Sequence, residues 1–246
     1  MVISKICVNI CGATVFSAIA LASGSANAQS KGDTTVGVGW LHIMPQSKSD
    51  PLVVESVNGA LVNQVLPGTG LHADAGDTAS LTVEHYFTDH IGVALMAAMP
   101  FTNDLSGDGA LSRYGVIGKT KPMAPILELR YHFFDSAARF RPFAGVGVNY
   151  TWFESTRATN GAFVSDTCGQ GCSMQSKLSA SWNPSFTVGL SYKISKKWAI
   201  DASATYIPLS TTLTSQTRSV TGVETVTKAQ IKVHPIISRI EVSYSF

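Results

Sequence analysis

The chain ends with the stretch Glu241-Val-Ser-Tyr-Ser-Phe246, in which apolar and polar residues alternate up to a terminal aromatic residue. Side chains along a strand point alternately to its two faces, so Val242, Tyr244 and Phe246 would share one face. The polar residues of the stretch would share the other face. A period of two predicts a strand whose two faces meet different environments.

The beginning of the chain has the three parts of a secretory signal peptide. Lys5 provides a positive charge, residues 6–21 are largely apolar, and Ala26-Asn27-Ala28 matches an A-x-A cleavage site. We therefore expect residues 1–28 to be removed, with Gln29 as the first mature residue. A membrane-anchoring helix is the alternative, but the apolar stretch is short and is interrupted by polar residues.

The mature chain would be a single domain, residues 29–246, with almost no net charge. The full sequence has 18 basic and 16 acidic residues, and removal of Lys5 leaves 17 and 16, a formal charge of +1. This balance argues against a nucleic-acid partner. No mature stretch reaches the roughly 18 apolar residues that a membrane helix needs. A hydrophobic secreted chain without such a helix predicts either a large soluble β core or a closed transmembrane barrel.

Eight strand candidates follow one another along the mature chain. They are residues 33–43, 77–87, 90–100, 122–134, 141–154, 180–194, 197–210 and 229–246. Their connections alternate in length. The long connections are residues 44–76, 101–121, 155–179 and 211–228, and the short ones are Thr88-Asp89, residues 135–140 and Ser195-Lys196.

Short turns that alternate with long loops are typical of outer-membrane barrels, whose turns face the periplasm and whose loops face outward. A soluble eight-stranded barrel would not need so regular an alternation, and it would bury apolar residues inside. A secreted chain whose last strand ends in Phe246 fits the membrane barrel as well. The sequence therefore predicts an all-β fold, an eight-stranded antiparallel transmembrane β-barrel with short periplasmic turns and long extracellular loops.

The two faces of the predicted strands differ in chemistry, with apolar side chains on one face and small or polar ones on the other. We expect the apolar face to contact lipid and the polar face to line the lumen. The inward set then includes seven ionisable residues. They are Glu84, Glu128, Arg130, His132, Asp201, Arg239 and Glu241. Because acids and bases are mixed, they predict a salt-bridge network that fills a narrow lumen. An ion-selective constriction is the alternative.

Several runs resemble the OmpW family of outer-membrane proteins. They are Asp89–Phe101 (DHIGVALMAAMPF), Phe140–Phe153 (FRPFAGVGVNYTWF), Leu129–Phe134 (LRYHFF) and the segment Trp182–Thr212. The resemblance extends over essentially the whole mature chain. It implies an eight-stranded barrel, integral to the bacterial outer membrane, that acts as a passive channel for small hydrophobic molecules. The family includes proteins linked to alkane uptake, and the resemblance implies no cofactor.

A channel for hydrophobic molecules needs inward apolar residues in the half of the barrel near the long loops. Alternation places Met96, Ile126, Phe153 and Ile207 there, and methionine suits a site that accepts varied apolar shapes. For Met96, simple filling of the lumen is the alternative. Trp182 is a further lining candidate because it matches a tryptophan of the family, although strict alternation points it outward.

Sideways exit into the bilayer is expected, since a charged lower lumen would repel an apolar solute. Such an exit requires a break in the strand ladder, and proline interrupts ladders. Five prolines occur within or near strand ends. They are Pro100, Pro125, Pro184, Pro208 and Pro235. An ordinary strand end is the alternative for each of them.

The third long connection contains Cys168-Gly-Gln-Gly-Cys172, which predicts a small disulfide loop in an oxidising compartment. A metal site would need more ligands than these two cysteines, and we expect no metal. His72, with Asp74 and Asp77 nearby in the same long connection, could form a protease-like or metal-binding cluster, but loops often contain such residues. The sequence lacks a G-x-S-x-G or H-E-x-x-H motif, so we expect no enzyme activity.

The partners that follow from these expectations are membrane components and apolar molecules. They are outer-membrane lipid and lipopolysaccharide, small hydrophobic solutes, and the barrel assembly machinery, which would recognise the strand ending at Phe246. The alternative function is a structural or receptor barrel that transports nothing and whose extracellular loops bind partners. A continuous apolar path above the charged layer would favour the channel.

Overall fold

The computed structural model describes residues 29–246, and the predicted signal peptide, residues 1–28, lies outside the described residues. No helix in the described part is long and apolar enough to cross a membrane. The strands are β1 (Thr34–Met44), β2 (Lys48–Ser49), β3 (Leu52–Val57), β4 (Ala60–Leu66), β5 (Thr69–Ala73), β6 (Gly76–Tyr86), β7 (Ile91–Ala98), β8 (Asn103–Gly109), β9 (Val116–Met123), β10 (Ile126–His132), β11 (Phe140–Ala158), β12 (Ser173–Leu178), β13 (Ser181–Lys193), β14 (Trp198–Tyr206), β15 (Ser210–Arg218), β16 (Glu224–Lys232) and β17 (Ile236–Ser245). The helices are α1 (Gly161–Cys168) and a 3-10 turn at Ser112–Tyr114.

Eight strands form a closed antiparallel barrel, in the order β1, β6, β7, β10, β11, β13, β14 and β17. The C-terminal strand closes the ring, because β17 pairs with β1 from Ile236 opposite Met44 to Ser245 opposite Thr35. Each of the eight predicted strands overlaps one barrel strand. The predicted all-β barrel is therefore confirmed.

Burial alternates along the barrel strands as the sequence pattern predicts. In β10, Glu128 and Arg130 are buried, whereas Leu127 and Leu129 between them are exposed on the outer face. The ladders of the barrel have no register shift, so alternation carries each side chain to its expected face. The outer face is an apolar surface that matches the hydrocarbon of a bilayer.

Nine further strands lie in and beside the long connections. The sequence predicts only parts of three of them, where the predicted strands 122–134, 197–210 and 229–246 overlap β9, β15 and β16. The nine strands continue the barrel outward as two sheets, which we call the outer extension. One sheet consists of β5, β8, β9 and the outer half of β11, and the other of β12, β15, β16, β3 and β4, with β2 beside β16. The register shifts that the structure contains lie in these sheets.

The barrel and the outer extension are separated by strand breaks at one level, and most of these breaks contain proline. The prolines are Pro45, Pro100, Pro125, Pro208 and Pro235. Proline has no amide hydrogen and cannot donate to a strand ladder, so a barrel strand ends beside each of them. The predicted strands 197–210 and 229–246 cross this level, and each is divided into two strands.

Pro184 behaves differently from these five prolines. It lies within β13 opposite Val148, and the ladder between β11 and β13 passes through it without a register shift. The break in the strand ladder that was expected at proline is therefore not present at Pro184 between β11 and β13.

Candidate functional site

The outer half of the barrel lumen contains an apolar cluster. Six buried side chains form a cluster that we call the lumen cluster. They are Leu41, Met96, Ile126, Ile207, Leu209 and Ile237, and Phe153 packs against them. These residues come from β1, β7, β10, β17 and the break between β14 and β15. Met96 and Ile126 lie directly opposite each other on β7 and β10. The structure thus brings together four of the five lining residues considered from the sequence.

Trp182, the fifth lining candidate, does not face the lumen. Its side chain is 72% exposed on the outer face of β13, and its ring centroid lies 4.7 Å from that of Tyr150. Because the ladder runs through Pro184 without a bulge, alternation holds and points Trp182 away from the lumen. Trp182 belongs to the aromatic residues at the outer edge of the lipid-facing surface, where indole rings are favoured.

Two apolar cavities lie above the lumen cluster. The lower one, of about 90 Å³, is at the level of the strand breaks and is lined by residues such as Phe153, Ile207 and Pro235. The upper one, of about 320 Å³, is inside the outer extension and is lined by residues such as Leu71 and Phe163. Leu105 lines both cavities. Apolar surface therefore continues from the outer extension down to the lumen cluster.

The lumen cluster ends at a layer of buried ionisable side chains, which we call the charged floor. Nη1 of Arg239 lies 2.9 Å from Sδ of Met96 and 2.6 Å from the hydroxyl of Thr82. The same nitrogen is 3.5 Å from Oε2 of Glu241, which also accepts a hydrogen bond from Thr82 at 2.8 Å. The apolar and charged parts of the lumen are therefore in direct contact, through Met96 and Arg239.

A second ion-paired group of the charged floor is centred on Arg130. Its Nη1 is 3.1 Å from Glu84 Oε2, and its Nε donates to Glu128 Oε2 at 3.1 Å. His132 Nε2 lies 2.7 Å from Glu84 Oε1, and the hydroxyl of Thr187 donates to Glu128 Oε1 at 2.5 Å. Buried charges of this kind need such partners because burial removes their hydration.

Asp201 completes the set of seven ionisable residues that the sequence placed in the lumen. All seven are buried. Asp201 lies opposite Glu241 in the ladder between β14 and β17, and it accepts a hydrogen bond of 2.5 Å from Ser243. The arrangement is a continuous floor across the barrel, which fits the expected salt-bridge network.

Inward-facing glycines make room for the charged floor. A Cβ atom on Gly92 would lie 2.4 Å from Oε1 of Glu84, and one on Gly37 would lie 2.9 Å from Cδ of Glu241. Both distances are shorter than a van der Waals contact. The alternation of glycine with apolar residues in these strands therefore reflects the space that the charged side chains occupy.

The periplasmic mouth is filled by two residues that the sequence analysis did not select. Arg141 is completely buried, and its Nη1 donates to the main-chain oxygen of Gln29 at 2.7 Å. The amide of Gln29 in turn donates to Ser191 at 2.8 Å. Extending the alternation of β11 back by two residues from Phe143 would have placed Arg141 in the lumen. The contacts of Gln29 join residues far apart in sequence, and no local pattern indicates them.

The barrel wall has a gap between β7 and β10 at the level of the strand breaks. The ladder ends where Met96 faces Ile126, and pairing resumes only in β8 and β9, where Asn103 faces Thr120. The segments beside the gap, residues 97–101 and 123–125, are apolar. A hydrophobic molecule could pass between these apolar edges without desolvating polar groups.

A second gap lies between β13 and β14. The ladder ends at Phe186 opposite Tyr206, and the next ladder partners are Leu178 and Leu213 in β12 and β15. This gap has more polar edges, because Asn183 is buried there and donates hydrogen bonds to Ser181. Of the two gaps, the one beside β7 has the chemistry of an apolar passage.

The outer extension contains the predicted cysteine pair and the histidine cluster. Cys168, the last residue of α1, forms a disulfide with Cys172. His72 lies 3.2 Å from Asp74 and 2.9 Å from Asp108, whereas Asp77 pairs with His42 at 2.6 Å. The nearby hydroxyl of Ser106 donates to Asp74 at 3.0 Å.

A closed eight-stranded barrel with an apolar outer face and a polar, charged floor in its lumen defines an integral outer-membrane β-barrel protein. A family model described as the OmpW family matches residues 30–246. The chain belongs to the OmpW family, in agreement with the sequence resemblance, and it is an integral protein of the bacterial outer membrane.

Individual relatives match over most of their length. Outer membrane protein W of Vibrio cholerae is 32% identical over 209 residues, which cover 83% of this chain and 86% of the relative. Dibenzothiophene metabolism operon protein PahQ of Pseudomonas aeruginosa is 26% identical over 190 residues, covering 76% and 79%. The crystal structure of OprG from Pseudomonas aeruginosa shares the fold with a TM-score of 0.76 and 24% identity, covering 90% of this chain and 99% of that one.

Proposed function

We propose that the protein is a passive route for small hydrophobic molecules across the outer part of the outer membrane. The observation that supports this most strongly is the apolar column formed by the two cavities and the lumen cluster. A polar lipopolysaccharide layer slows apolar solutes, and a shielded apolar column would carry them past it. Transport down a concentration gradient through such a column requires no cofactor and no catalytic group.

The charged floor directs the route sideways. An apolar solute that reaches Met96 meets the guanidinium of Arg239 directly below, and the ion pairs of Arg130 lie deeper. Below these, Arg141 and Gln29 close the periplasmic mouth. Displacing these groups from their partners would leave buried charges unpaired, which is strongly unfavourable. The gap between β7 and β10, with its apolar edges, is the exit that we propose.

The relatives support the class of solute. One relative carries the name of a dibenzothiophene metabolism operon protein, and dibenzothiophene is a fused-ring, largely apolar molecule. A thioether such as Met96 adapts to aromatic and aliphatic shapes alike. We therefore propose aromatic and aliphatic hydrocarbons of modest size as substrates.

The membrane environment supplies the remaining proposed partners. The outer face would contact phospholipid in the inner leaflet and lipopolysaccharide in the outer leaflet. We also propose that the barrel assembly machinery recognises β17 through its final aromatic residue. Phe246 continues the pairing with β1 through its amide, which donates to the oxygen of Thr34 at 3.0 Å.

Initial uptake rates test the proposed function. Cells that produce the protein and cells that lack it are given labelled dibenzothiophene, and a polar solute of similar size serves as the control. We expect the protein to accelerate uptake of the apolar solute only. Equal uptake of the apolar solute with and without the protein would instead favour a structural or receptor barrel.

Cross-linking tests the exit route. A short thiol cross-linker would bridge the β7–β10 gap in the variant Ala98→Cys/Ala124→Cys. It would bridge the β13–β14 gap in the variant Pro184→Cys/Pro208→Cys, whose positions flank that gap and do not line the cavities. We expect the first bridge to slow uptake until a reductant removes it, and the second to have little effect. The control is Val93→Cys/Leu129→Cys, whose positions are already ladder partners in the same two strands. Slower uptake with the second bridge alone would move the exit to the other gap.

A further inference from the structure

Two lysines of the outer extension lie directly opposite each other. Lys232 of β16 faces Lys48 of β2 in an antiparallel ladder, and both side chains are exposed. Opposite residues in such a ladder have Cβ atoms about 4.5–5.5 Å apart, and like charges at these positions repel. An anion between the two ammonium groups would relieve this repulsion.

Within residues 29–246, no carboxylate forms an ion pair with either lysine of this pair. Lys228 lies four residues before Lys232 on the same strand, further from the membrane. It differs from the lysine pair because its Nζ lies 2.7 Å from Oε1 of Glu55. Asp50 is the acidic residue next to the pair in sequence, and it is exposed and makes no ion pair with either lysine. The lysine pair therefore retains positive charge that the protein itself does not neutralise.

The position of the lysine pair relative to the membrane follows from the barrel. The lipid-facing residues Met44 and Ile236 are ladder partners at the outer end of β1 and β17. Each lysine is four residues further out, at most roughly 13 Å along the strand. With a strand tilt of about 40°, this is roughly 10 Å along the membrane normal. The polar layer of a bilayer is about 5–8 Å thick per side, and long lysine side chains reach toward it.

We propose that Lys48 and Lys232 together bind a phosphate group of lipopolysaccharide in the outer leaflet. The two ammonium groups would contact one phosphate from neighbouring strands, and the acyl chains of the lipid would lie along the apolar face below Ile236. Tyr206, whose hydroxyl lies 3.2 Å from Nδ1 of His234, borders the site on the membrane side. This binding site goes beyond the proposed uptake of solutes and does not depend on it.

Titration of the purified protein with lipid A tests this proposal. The probes are lipid A with two phosphates, the same lipid after removal of both phosphates, and inorganic phosphate alone. We expect the variant Lys48→Gln/Lys232→Gln to bind the phosphorylated lipid about ten-fold more weakly than the wild type. The control Lys196→Gln/Lys197→Gln removes the same charge at a periplasmic turn and should bind as the wild type does. The variant Lys48→Arg/Lys232→Arg should retain binding.

Several results would overturn the proposal. One is equal affinity of the glutamine variant and the wild type for phosphorylated lipid A. Another is an equal loss of affinity in the Lys196 and Lys197 control. Tight binding of the phosphate-free lipid would assign the affinity to acyl chains. Competition by inorganic phosphate at equal concentration would assign the pair to a free anion. The heat-dependent gel shift of folded barrels confirms that each variant is assembled.

Discussion

The guanidinium nitrogen Nη1 of Arg239 lies 2.9 Å from the thioether sulfur of Met96. Met96 is the lowest residue of the apolar route on β7, and Arg239 belongs to the charged floor. A buried arginine held by Thr82 and Glu241 cannot move aside without losing those partners. In the proposed route, this contact marks the depth at which an apolar solute would stop descending.

The ion pairs of the charged floor should contribute strongly to barrel stability. Replacing Arg130 with alanine leaves the carboxylates of Glu84 and Glu128 buried without their cation. We expect Arg130→Ala to lower the free energy of unfolding by about 3–5 kcal/mol. Urea unfolding followed by the heat-dependent gel shift measures this change. Arg218→Ala, which removes an exposed ion pair with Glu224, is the control and should change stability little.

Adding a side chain at an inward-facing glycine should also lower the stability of the barrel. In Gly92→Ala, the new methyl group would start 2.4 Å from Oε1 of Glu84, so the ion pair with Arg130 must shift. We expect a loss of about 1–3 kcal/mol in the free energy of unfolding, as for other overpacked sites. Gly161→Ala meets no atom within 4 Å and provides the control. Equal unfolding midpoints for the two variants would contradict the role assigned to Gly92.

The disulfide should act locally. Cys168 and Cys172 close a loop of only a few residues, for which the loop-entropy relation gives about 2 kcal/mol. We expect Cys168→Ser/Cys172→Ser to increase amide hydrogen exchange in α1 while leaving the exchange of barrel strands unchanged. Uptake of an apolar solute should also be unchanged. Faster exchange throughout the barrel would show that the disulfide supports more than the outer extension.

The last aromatic residue should matter for assembly more than for stability. Phe246 is exposed, and its ring contacts Tyr244 at a centroid distance of 4.9 Å. We expect Phe246→Ala to reduce the amount of barrel assembled in cells, measured as the folded fraction on unheated gels. Phe133→Ala, which removes an equally exposed ring at a periplasmic turn, should assemble normally. Equal folded fractions in the two variants would argue against recognition of the terminal residue.

The sequence predicted the barrel well because its strands obey strict alternation. A bilayer on one side and a polar lumen on the other impose opposite chemistry on successive residues, as β10 illustrates. The parity argument also located Met96, Ile126 and the charged floor, since no register shift occurs in the barrel ladders. The prediction that Trp182 lines the lumen is wrong. It rested on the family resemblance, whereas strict alternation along β13 points Trp182 outward.

The parts that the sequence did not predict depend on contacts rather than on local pattern. The outer extension faces water outside and an apolar cavity inside, so β15 mixes threonine with a single leucine and gives a weak strand signal. The predicted strand 229–246 includes Pro235, although the barrel strand β17 begins only after this proline. The closure of the periplasmic mouth rests on Arg141 and Gln29, which are 112 positions apart.

The most direct test of the channel compares initial uptake of labelled dibenzothiophene in cells with wild-type protein, Met96→Arg and Met96→Leu. Arginine at this position would extend the charged floor into the lumen cluster, whereas leucine keeps the site apolar. The account predicts that Met96→Arg lowers uptake to the rate of cells without the protein and that Met96→Leu retains it, with equal amounts of assembled barrel. Wild-type uptake in correctly assembled Met96→Arg cells would contradict passage through the lumen.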